Sequence, residues 1–501
     1  MRDLEVLMNP NKLVQYLKKP ANEFTKHDII KYIDDHNIEM LNFRYVGEDG
    51  KLKTLNFVIT SKSYLESILS TGERVDGSSL FSYIEADFSD LYVIPRFRTA
   101  FVNPFTEHPT LDILCSFYTK DGKPLESAPE YILKKANADF TNETGYKFKA
   151  MGELEYYVIS EKDDLYPSQD QRGYHESQPF ANWENLRTEA LLIIAQCGGK
   201  IKYGHSEVGS FSTETHRYEQ NEIEFIPVNA EEAVEQLIIS KWIIRMLGQK
   251  HGVTISFAPK ITVGKAGSGL HIHLMLEKNG ENHMANEDGL TDVAKKAIAG
   301  ILNHAQSLTA FGNTIPTSYL RLVPHQEAPT MVCWGDSNRS VLVRVPLGWI
   351  AKTSMVKDAN PQEKAPIPYI PGKQTVEFRA PDGSADLYHL MAGLILAAKE
   401  GVLSEKSLKE AEKMYVNVNI FDDKHKDLYN SLNSLPASCF ESAEYLEKDS
   451  KFYEANGIFP KGTIEGFVKK LKSFDDKNMS EKLFNNHEEI RKMVDEYIHH
   501  M

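Results

Sequence analysis

The chain has 501 residues, and its formal net charge of −14 argues against nucleic acid as the main partner, because phosphate binding requires clustered positive charge. This length allows one large domain with an appendage, or two to three domains, and a hydrophobic content of 41% supplies a sizeable core. Four scattered cysteines without a CxxC pair, no signal-peptide core and a longest apolar run of about half a membrane span predict a reduced, cytoplasmic protein without a membrane partner.

The first third of the chain has the pattern of a small α+β domain. Helices are predicted over residues 27–37 and 61–70, and strands over residues 41–46, 52–59 and 90–95. The first two strands flank Asp49-Gly50, a dipeptide typical of hairpin turns. A domain boundary is expected in the turn-rich region near residues 105–120.

The rest of the chain mixes strands and helices without a regular βαβ alternation. Strands are predicted over residues 111–118, 146–160, 201–209, 221–228, 254–260, 269–277, 341–346 and 375–381. Helices are predicted over residues 184–197, 230–250, 291–309, 386–403 and 405–414, and the tail from about residue 438 is helical and charged. This order favours an α+β fold with an antiparallel or mixed sheet over a doubly wound parallel fold.

Polar residues recur at positions i and i+2 of several predicted strands, a spacing that places both side chains on one face. The pairs are Glu153 with Glu155, Glu222 with Glu224, His271 with His273, and Glu377 with Arg379, and Glu207 stands alone. Neighbouring carboxylates resist joint ionisation unless water surrounds them or a cation lies between them. One such pair is explained by a solvated sheet face. Several on neighbouring strands would form an acidic surface that suits Mg²⁺ or Mn²⁺, whereas structural Zn²⁺ is disfavoured because no cysteine accompanies it.

Basic residues form a second pattern. Arg321, Arg339 and Arg344 lie close together in sequence, and Arg379 follows in VEFR. Arginine binds carboxylate and phosphate oxygens through paired hydrogen bonds, although ordinary salt bridges would also explain these residues. Metal ions facing arginines are what phosphoryl transfer requires. The chain has no GxxxxGK[ST] P-loop, and the glycine-rich stretch at residues 264–269 precedes a strand.

Taken together, the motifs resemble those of the glutamine synthetase family. In family order they are DGSS…SD, GELEYY, HSEV…QNEIEF, GSGLHIH, RLVPHQEAP, SNRSVLVRVP and VEFRAPDGSADLY, and the likeness runs from about residue 25 to 475. DGSS alone is only a turn, but an ordered set of motifs is far more specific. The resemblance implies an N-terminal extension over residues 1–24, a small β-grasp domain over 25–112, and a catalytic domain over 113–501. The catalytic domain would hold a curved antiparallel sheet that forms a funnel flanked by helices.

The resemblance also implies an activity and an assembly. ATP would phosphorylate the γ-carboxylate of glutamate, and ammonia would displace phosphate from the γ-glutamyl phosphate. Two or three Mg²⁺ or Mn²⁺ ions would serve each site. The protein would be a homo-oligomer, a dodecamer of two stacked hexameric rings with active sites between subunits, and the DGSS loop of one subunit would complete the site of its neighbour.

The metal ligands follow from the same resemblance. The ligands of the ion nearer the glutamate would be Glu155, Glu207 and Glu222. The ligands of the ion that bridges the ATP phosphates would be Glu153, His271 and Glu377. Cations in these places would relieve the carboxylate repulsion and neutralise charge that develops on the transferred phosphoryl group.

Contacts to the nucleotide and the glutamate are implied as well. Arg339 and Arg344 would hold phosphate oxygens, and His273 would touch the nucleotide phosphates. Arg379 would hold the transferring group or the γ-carboxylate. Arg321 would clamp the substrate carboxylate.

A further group of residues is assigned to the amine and the intermediate. Glu327 would close over the γ-glutamyl intermediate and help remove a proton. Asp76 would bind ammonium and take its proton, since NH₄⁺ has no lone pair with which to attack. Ser79 and Asp90 match neighbours of that subsite, and the backbone of Gly267 would contact the substrate amino acid.

The chain departs from the family pattern at several positions. Glu222 follows Glu207 by fifteen positions where eight are usual, so the intervening SFSTETHRYE carries an insertion. Lys202 stands where a glutamate often meets the nucleotide, and Thr375 where an arginine does. Ala266 replaces an asparagine that contacts the substrate.

Three functions are therefore compared. The first is ATP-dependent glutamine formation, which Asp76 favours because a bulky amine would clash beside it. The second is a related γ-glutamyl ligase for another amine, which Ala266 and Thr375 leave open. The third is a catalytically inactive structural or regulatory ring protein, which predicts eroded metal ligands, whereas all six are present.

Overall fold

A computed structural model of the chain describes residues 6–81, 84, 89–163, 165–323, 328–348, 355–366, 372–483 and 486–500. It contains two main sheets, each with its own hydrophobic core. Among the described residues, no helix combines the length and apolarity that crossing a membrane requires.

The first sheet forms the small N-terminal domain, and its strand order is β2-β1-β6-β4-β3, with β5 paired to β6. Its strands are β1 Met40–Val46, β2 Leu52–Val58, β3 Glu73–Asp76, β4 Asp90–Pro95, β5 Phe101–Val102 and β6 Thr110–Thr119. Its helices are α1 Lys12–Leu17, α2 Lys26–Asp35 and α3 Lys62–Thr71. The predicted hairpin is confirmed, because β1 pairs antiparallel with β2. β6 continues past residue 112, where the sequence places the domain division, and stays in this sheet to Thr119.

The predicted N-terminal extension is folded onto this domain. Asn11 caps α1 by accepting hydrogen bonds from the backbone N–H groups of Leu13 and Val14. Both of these residues are buried in the core of the first sheet. The extension therefore contributes apolar surface to the small domain.

The second sheet belongs to the large domain and has the strand order β16-β17-β18-β12-β7-β9-β8. Its path strands are β7 Lys147–Glu161, β8 Ile201–Ser212, β9 His216–Phe225, β12 Leu270–Lys278, β16 Trp334–Asp336, β17 Val343–Val345 and β18 Val376–Phe378. Short strands at its side are β10 Val228–Asn229, β11 Thr254–Ser256 and β13 Glu281–Asn282, whereas β14 Ala285–Asn286 and β15 Gly289–Leu290 pair with each other in a separate two-stranded sheet. Along the path all pairs are antiparallel except β16 with β17. The predicted α+β class is confirmed, although the strands predicted over 254–260, 341–346 and 375–381 are shorter.

Helices cover one side of this sheet and extend to the C-terminus. They are α4 Pro129–Thr144, α5 Glu184–Gln196, α6 Ala230–His251, α7 Asp292–Asn303, α8 Ala305–Gly312, α9 Ser318–Arg321, α10 Met355–Ala359, α11 Leu387–Leu403, α12 Ser407–Lys413, α13 Lys426–Ser431, α14 Cys439–Lys448, α15 Ser450–Glu454, α16 Lys461–Lys472, α17 Met479–Lys482 and α18 His487–Tyr497. The helical tail predicted from residue 438 is confirmed.

The central strand β7 gives the sheet one apolar and one polar face, because successive side chains of a strand point to opposite sides. Leu154 is fully buried in the main core. Gly152 points the same way, and a Cβ there would lie 2.8 Å from the side chain of Leu237 in α6, so only glycine allows this approach. Glu153 and Glu155 therefore project from the face that the helix does not cover.

The single helix predicted over residues 291–309 is wrong, because the structure has two helices with a break at His304. The backbone there has φ −111° and ψ 9°, outside the helical region. The ring of His304 stacks on Phe452 at a centroid distance of 3.6 Å and contacts the carboxylates of Glu400 and Asp449. Tertiary contacts thus interrupt a continuous helical pattern.

Helices α7 and α11 meet at two glycines. A Cβ on Gly300 would lie 2.0 Å from the carbonyl oxygen of Ala397, and a Cβ on Gly401 would lie 2.1 Å from that of Lys296. The two backbones therefore approach too closely for a larger residue.

We expect Gly401→Ala to lower the free energy of unfolding by about 1–3 kcal/mol, the usual cost of overpacking a tight contact. The matched control is Gly466→Ala in α16, where an added Cβ meets nothing within 4 Å. Alanine is favoured over glycine in a helix by about 0.5–1 kcal/mol, so the control should stabilise the protein. Urea unfolding followed by circular dichroism measures both, and a stabilising Gly401→Ala would contradict the close contact.

Candidate active site

The predicted polar pairs lie together on the uncovered face of the second sheet. In the β-register, Glu153 of β7 is opposite both Glu224 of β9 and His271 of β12. Glu155 is opposite Glu222. The separate sequence pairs thus form one surface, as the sequence predicts for neighbouring strands.

A first cluster surrounds Glu153, His271, His273 and Glu377. His271 Nδ1 lies 3.0 Å from Glu153 Oε2 and 3.2 Å from Glu377 Oε1. His273 Nε2 lies 2.8 Å from Glu153 Oε1. Burial alone would lower the pKa of His271, but its hydrogen bonds to the two carboxylates outweigh burial and raise that pKa to about 9. The imidazolium charges in turn hold the pKa of Glu153 well below its ordinary value despite burial.

Arginines border this cluster, and two of them bind the carboxylate of Glu377. Arg344 Nη1 lies 2.9 Å from Glu377 Oε2, and Arg379 Nε lies 3.0 Å from Glu377 Oε1. Arg379 also donates to the backbone carbonyl of Arg339, whose side chain is exposed. The buried Arg321 donates to the carbonyl of Ala380 at 2.8 Å. Arg321, Arg344 and Arg379 are thus oriented by neighbouring oxygens, close to the carboxylates.

A second cluster contains the remaining predicted metal ligands. Burial raises the pKa of Glu222 well above its ordinary value, and the charges of Glu153, Glu155, Glu207 and Glu224 raise it further. A buried carboxyl group with this many anionic neighbours is a favourable position for a divalent cation, since the cation would restore the ionised form. The donor set therefore fits Mg²⁺ or Mn²⁺.

Glu155 and Glu207 are positioned by neutral backbone and amide groups. Glu155 Oε2 accepts hydrogen bonds from Gly269 N at 2.7 Å and from Gln220 Nε2 at 3.0 Å. Glu207 lies in a β-bulge, because the register between β8 and β9 shifts after Ser206. Bulges redirect side chains, and the Glu207 carboxylate accepts from the backbone N–H of Val208 at 2.6 Å.

The insertion predicted after Glu207 lengthens the hairpin of β8 and β9. Ser210 pairs with Glu219 and Ser212 pairs with Arg217, so the added residues continue both strands beyond the bulge. Glu219, the last residue of SFSTETHRYE, accepts hydrogen bonds from the backbone N–H groups of Asn182 and Trp183.

Among the residues that the structure describes, two triplets of side chains have ligand atoms within 4.8 Å of one another. They are Glu153, His273 and Glu377, and His205, Glu222 and Glu224. The sequence interpretation gave no metal-ligand role to His205, Glu224 or His273, and the predicted ligand His271 is in neither triplet. The i, i+2 pairing with Glu222 already places Glu224 on the right face, but only the strand register, which puts His205 opposite Glu222, shows that the imidazole is near.

The departures from the family pattern have structural partners. Lys202 Nζ contacts the carboxylate of Glu224, and the hydroxyl of Tyr203 donates to the same group. Thr375 Oγ1 lies 2.8 Å from His273 Nδ1. The amide of Ala266 donates to Gln171 Oε1 at 2.7 Å. Each replacement is therefore bonded to a neighbouring residue in this chain.

A small pocket lies beside the two clusters. Its lining residues are Glu155, Lys260, Ala266, Gly267, His271, Arg321, Ala328 and Arg379. A Cβ on Gly267 would lie 2.5 Å from the carbonyl oxygen of Pro259, so the loop has no room for a side chain there. Lys260 was not singled out from the sequence, which has no motif that marks it. It is buried, and its Nζ donates to the carbonyl of Lys265 at 2.6 Å.

The residues predicted for ammonium lie in the first sheet. Asp76 ends β3 directly opposite Asp90 of β4. Hydrogen bonds from the hydroxyls of Ser79, Ser78 and Ser89 hold the pKa of Asp76 far below its ordinary value. Asp76 and Asp90 are both exposed. Glu327, predicted to close over the intermediate, lies outside the described residues.

Two protein-family models match the chain. "Glutamine synthetase, beta-Grasp domain" matches residues 37–120, and "Glutamine synthetase, catalytic domain" matches residues 126–489. These matches confirm the predicted β-grasp domain and the larger catalytic domain.

Curated relatives and solved structures agree with these matches. A glutamine synthetase from Clostridium saccharobutylicum is 29% identical over 443 residues, covering 87% of this chain and 92% of the relative. One from Thermotoga maritima is 30% identical over 463 residues, covering 90% of this chain and 96% of the relative. The structure of Plasmodium falciparum glutamine synthetase has a TM-score of 0.74 at 21% identity, covering 92% of this chain and 99% of that chain. A GmaS/ADP complex has a TM-score of 0.71 at 18% identity, covering 90% of this chain and 96% of that chain. At these identities both solved structures show the fold alone.

We expect Glu155→Gln to weaken Mn²⁺ binding by about tenfold or more, because a charged ligand is replaced by a neutral one. The same variant should melt at a higher temperature without metal, since it removes one of the charges that repel Glu222. The control is Glu161→Gln at the exposed end of the same strand. Titration calorimetry and thermal melting measure the two effects, and Mn²⁺ affinities that match the control would contradict the ligand role.

Proposed function

The chain belongs to the glutamine synthetase family, and from that premise we propose that it is a glutamate–ammonia ligase. It would transfer the γ-phosphoryl group of ATP to glutamate, and ammonia would then displace phosphate from the γ-glutamyl phosphate, which yields glutamine, ADP and phosphate. The observation that carries this proposal is the buried acidic face, where burial and the charges of surrounding carboxylates raise the pKa of Glu222. Such a face is costly without cations, and ATP is used by enzymes together with divalent ions. Both the chemistry and the family therefore favour metal-dependent phosphoryl transfer.

The proposed ligand sets are those predicted from the motifs. One ion would be held by Glu155, Glu207 and Glu222, and another by Glu153, His271 and Glu377. When bound, divalent ions neutralise charge on the phosphates and on the attacking carboxylate. His273 contacts Glu153 from the other side and is the residue proposed to touch the nucleotide phosphates.

The basic residues have the proposed role of orienting the two negatively charged substrates. Arg344 and Arg379 already bind the carboxylate of Glu377. Phosphate oxygens would therefore replace this carboxylate as their partner or share them with it. The exposed side chain of Arg339 would bind phosphate as well. Arg321 and Gly267 line the small pocket, which supports their assignment to the glutamate carboxylate and amino acid backbone.

The proposed ammonium site requires a second copy of the chain. Asp76, Ser79 and Asp90 belong to the small sheet, whereas the metal ligands lie on the large one. We propose that a neighbouring subunit supplies them, in a dodecamer of two hexameric rings. The low pKa of Asp76 keeps it ionised, which suits a group that attracts NH₄⁺. Glu327 is proposed to act on the intermediate, and the cytoplasm is the proposed location.

The second candidate is a γ-glutamyl ligase for another amine. Ala266 removes a polar side chain from the pocket lining, so the substrate contacts differ from the family pattern. Asp76 argues for ammonia, since a bulkier amine would need the space beside that carboxylate. The third candidate, an inactive ring protein, is disfavoured because the metal-ligand positions are intact.

We expect phosphate release from ATP and glutamate to require ammonium. The assay compares ammonium with methylamine and a polyamine in the presence of Mg²⁺ or Mn²⁺. Release that is supported by an alkyl amine and not by ammonium would replace the first candidate with the second. No release with any amine, from protein that binds ATP, would favour the inactive ring.

We expect Asp76→Ala to depress glutamine synthesis at low ammonium by about 10²-fold or more, as loss of a proton acceptor usually does. ATP binding should be unaffected, because Asp76 lies on the first sheet. The control is Asp49→Ala, an exposed aspartate of the same domain. Unchanged synthesis at low ammonium would refute the role of Asp76.

A further inference from the structure

A second charged cavity lies away from the acidic face, where the small domain meets the large one. Its volume is about 220 Å³. The hairpin between β1 and β2 contributes Gly50 and Lys51, α6 contributes Lys241 and Arg245, and the start of α11 contributes Leu387. The cavity therefore joins elements from both domains. The end of the VEFRAPDGSADLY motif lines this cavity, but none of the residues assigned to the proposed reaction does.

Lys241 is the main observation. Its side chain is only 7% exposed. Nζ donates to the carbonyl oxygen of Gly383 at 2.7 Å, which satisfies one of its three N–H groups. Among the residues that the structure describes, no carboxylate lies within ion-pair distance of this ammonium group. A buried lysine without a counterion is costly, so another anion would stabilise it.

The nearest acidic side chains are committed to other partners. Asp382 accepts hydrogen bonds from Asn313 Nδ2 at 2.7 Å and from Ser384 N at 2.8 Å. Asp386, which itself lines the cavity, caps α11 and lies 2.8 Å from His389 Nδ1. Neither carboxylate is therefore available as the full counterion of Lys241.

The positive charges of this region lower the pKa values of two neighbouring groups. Burial and the charges of Lys470, Lys241, Lys51 and Arg245 lower the pKa of His500 to about 4. Burial and the charge of Arg245 lower the pKa of Lys241 to about 7. Both shifts have the sign that a group of like charges in a partly dry cavity produces.

The geometry of the cavity suits an oxyanion. Arg245 and Lys241 are one turn apart on α6 and face the same side. The first residues of α11, Leu387 and Tyr388, line the cavity, and a helix of this length presents partial positive charge at its N-terminus. Cationic side chains and helix N–H groups together are a common means of binding phosphate.

We propose that this cavity, here called the junction cavity and lined by Lys51, Lys241, Trp242, Arg245 and the start of α11, binds a phosphate group. The group is either free phosphate or the phosphate of a small metabolite. Bound there, it would connect the β1–β2 hairpin with α6 and α11 and so strengthen the contact between the domains. The inference goes beyond the proposed reaction and does not depend on it.

Trp242 provides a direct readout because it lines the junction cavity. We expect inorganic phosphate, added without nucleotide, metal or glutamate, to change the Trp242 fluorescence in a saturable way. The chain has four tryptophans, so Trp242→Phe identifies the signal and should abolish it. Sodium chloride at equal ionic strength is the salt control, and an equal change with chloride would overturn the proposal.

Lys241→Met tests the proposal with two opposite effects. The variant removes a buried charge while keeping the length of the side chain, so it should melt at the same or a higher temperature in phosphate-free buffer. It should weaken phosphate binding by about tenfold or more. Lys250→Met is the matched control, since Lys250 lies on the same helix, is more exposed and is paired with Glu189. Phosphate affinity equal to that of the control would overturn the proposal.

Lys51→Gln gives an independent test at the cavity mouth, where the side chain is exposed and folding should be unaffected. It should weaken phosphate binding by several-fold, and unchanged binding would count against the site. Glycerol phosphate compared with inorganic phosphate distinguishes the two sources. Tighter binding of the ester identifies a metabolite phosphate, whereas tighter binding of the free ion identifies inorganic phosphate. Failure of both to bind would overturn the inference and would leave the proposed ligase activity intact.

Discussion

The repulsion between carboxylates on one face of the large sheet is the constraint on which the rest of the site depends. Glu153 and Glu155 lie on one strand, and the register places Glu222 and Glu224 directly beside them. Such a face persists only if cations neutralise it or if some groups stay protonated. The structure shows both solutions. The cationic side chains of His271 and the arginines neutralise the carboxylate of Glu377, whereas the raised pKa of Glu222 favours its protonated form. The two clusters therefore differ in how much they would gain from a divalent ion.

The fold supports this face by keeping the other side of the sheet apolar at the centre of β7. Gly152 lets the side chain of Leu237 approach β7 closely, and the fully buried Leu154 packs in the main core. A polar substitution there would have no partner, whereas a polar residue on the opposite face meets charges of the site. The same alternation that buries the core thus brings the ionisable groups into one row.

Much of this arrangement can be predicted from sequence because it follows from local periodicity. The i, i+2 spacing of Glu153 and Glu155 is enough to place them on one face, and family motifs identify the rest. What the sequence did not show depends on non-local register and irregular backbone. The bulge at Glu207 and the position of His205 opposite Glu222 exist only once β8 is aligned with β9. Likewise, the break at His304 follows from contacts with residues about 100 or more positions away.

Two ligand sets around Glu222 can be compared through the groups that contact their carboxylates. One set contains His205 and Glu224, and the other contains Glu155 and Glu207. Glu224 is already neutralised by the ammonium of Lys202 and receives a hydrogen bond from Tyr203, so a metal ion would have to compete with a resident cation. Glu155, in contrast, accepts from the neutral donors Gly269 N and Gln220 Nε2, which leave its charge in place and aim it. A cation gains more from an oriented, uncompensated carboxylate than from one in an ion pair. Lys202 would therefore make Glu224 a weaker ligand, which favours Glu155 and Glu207 as the proposed companions of Glu222.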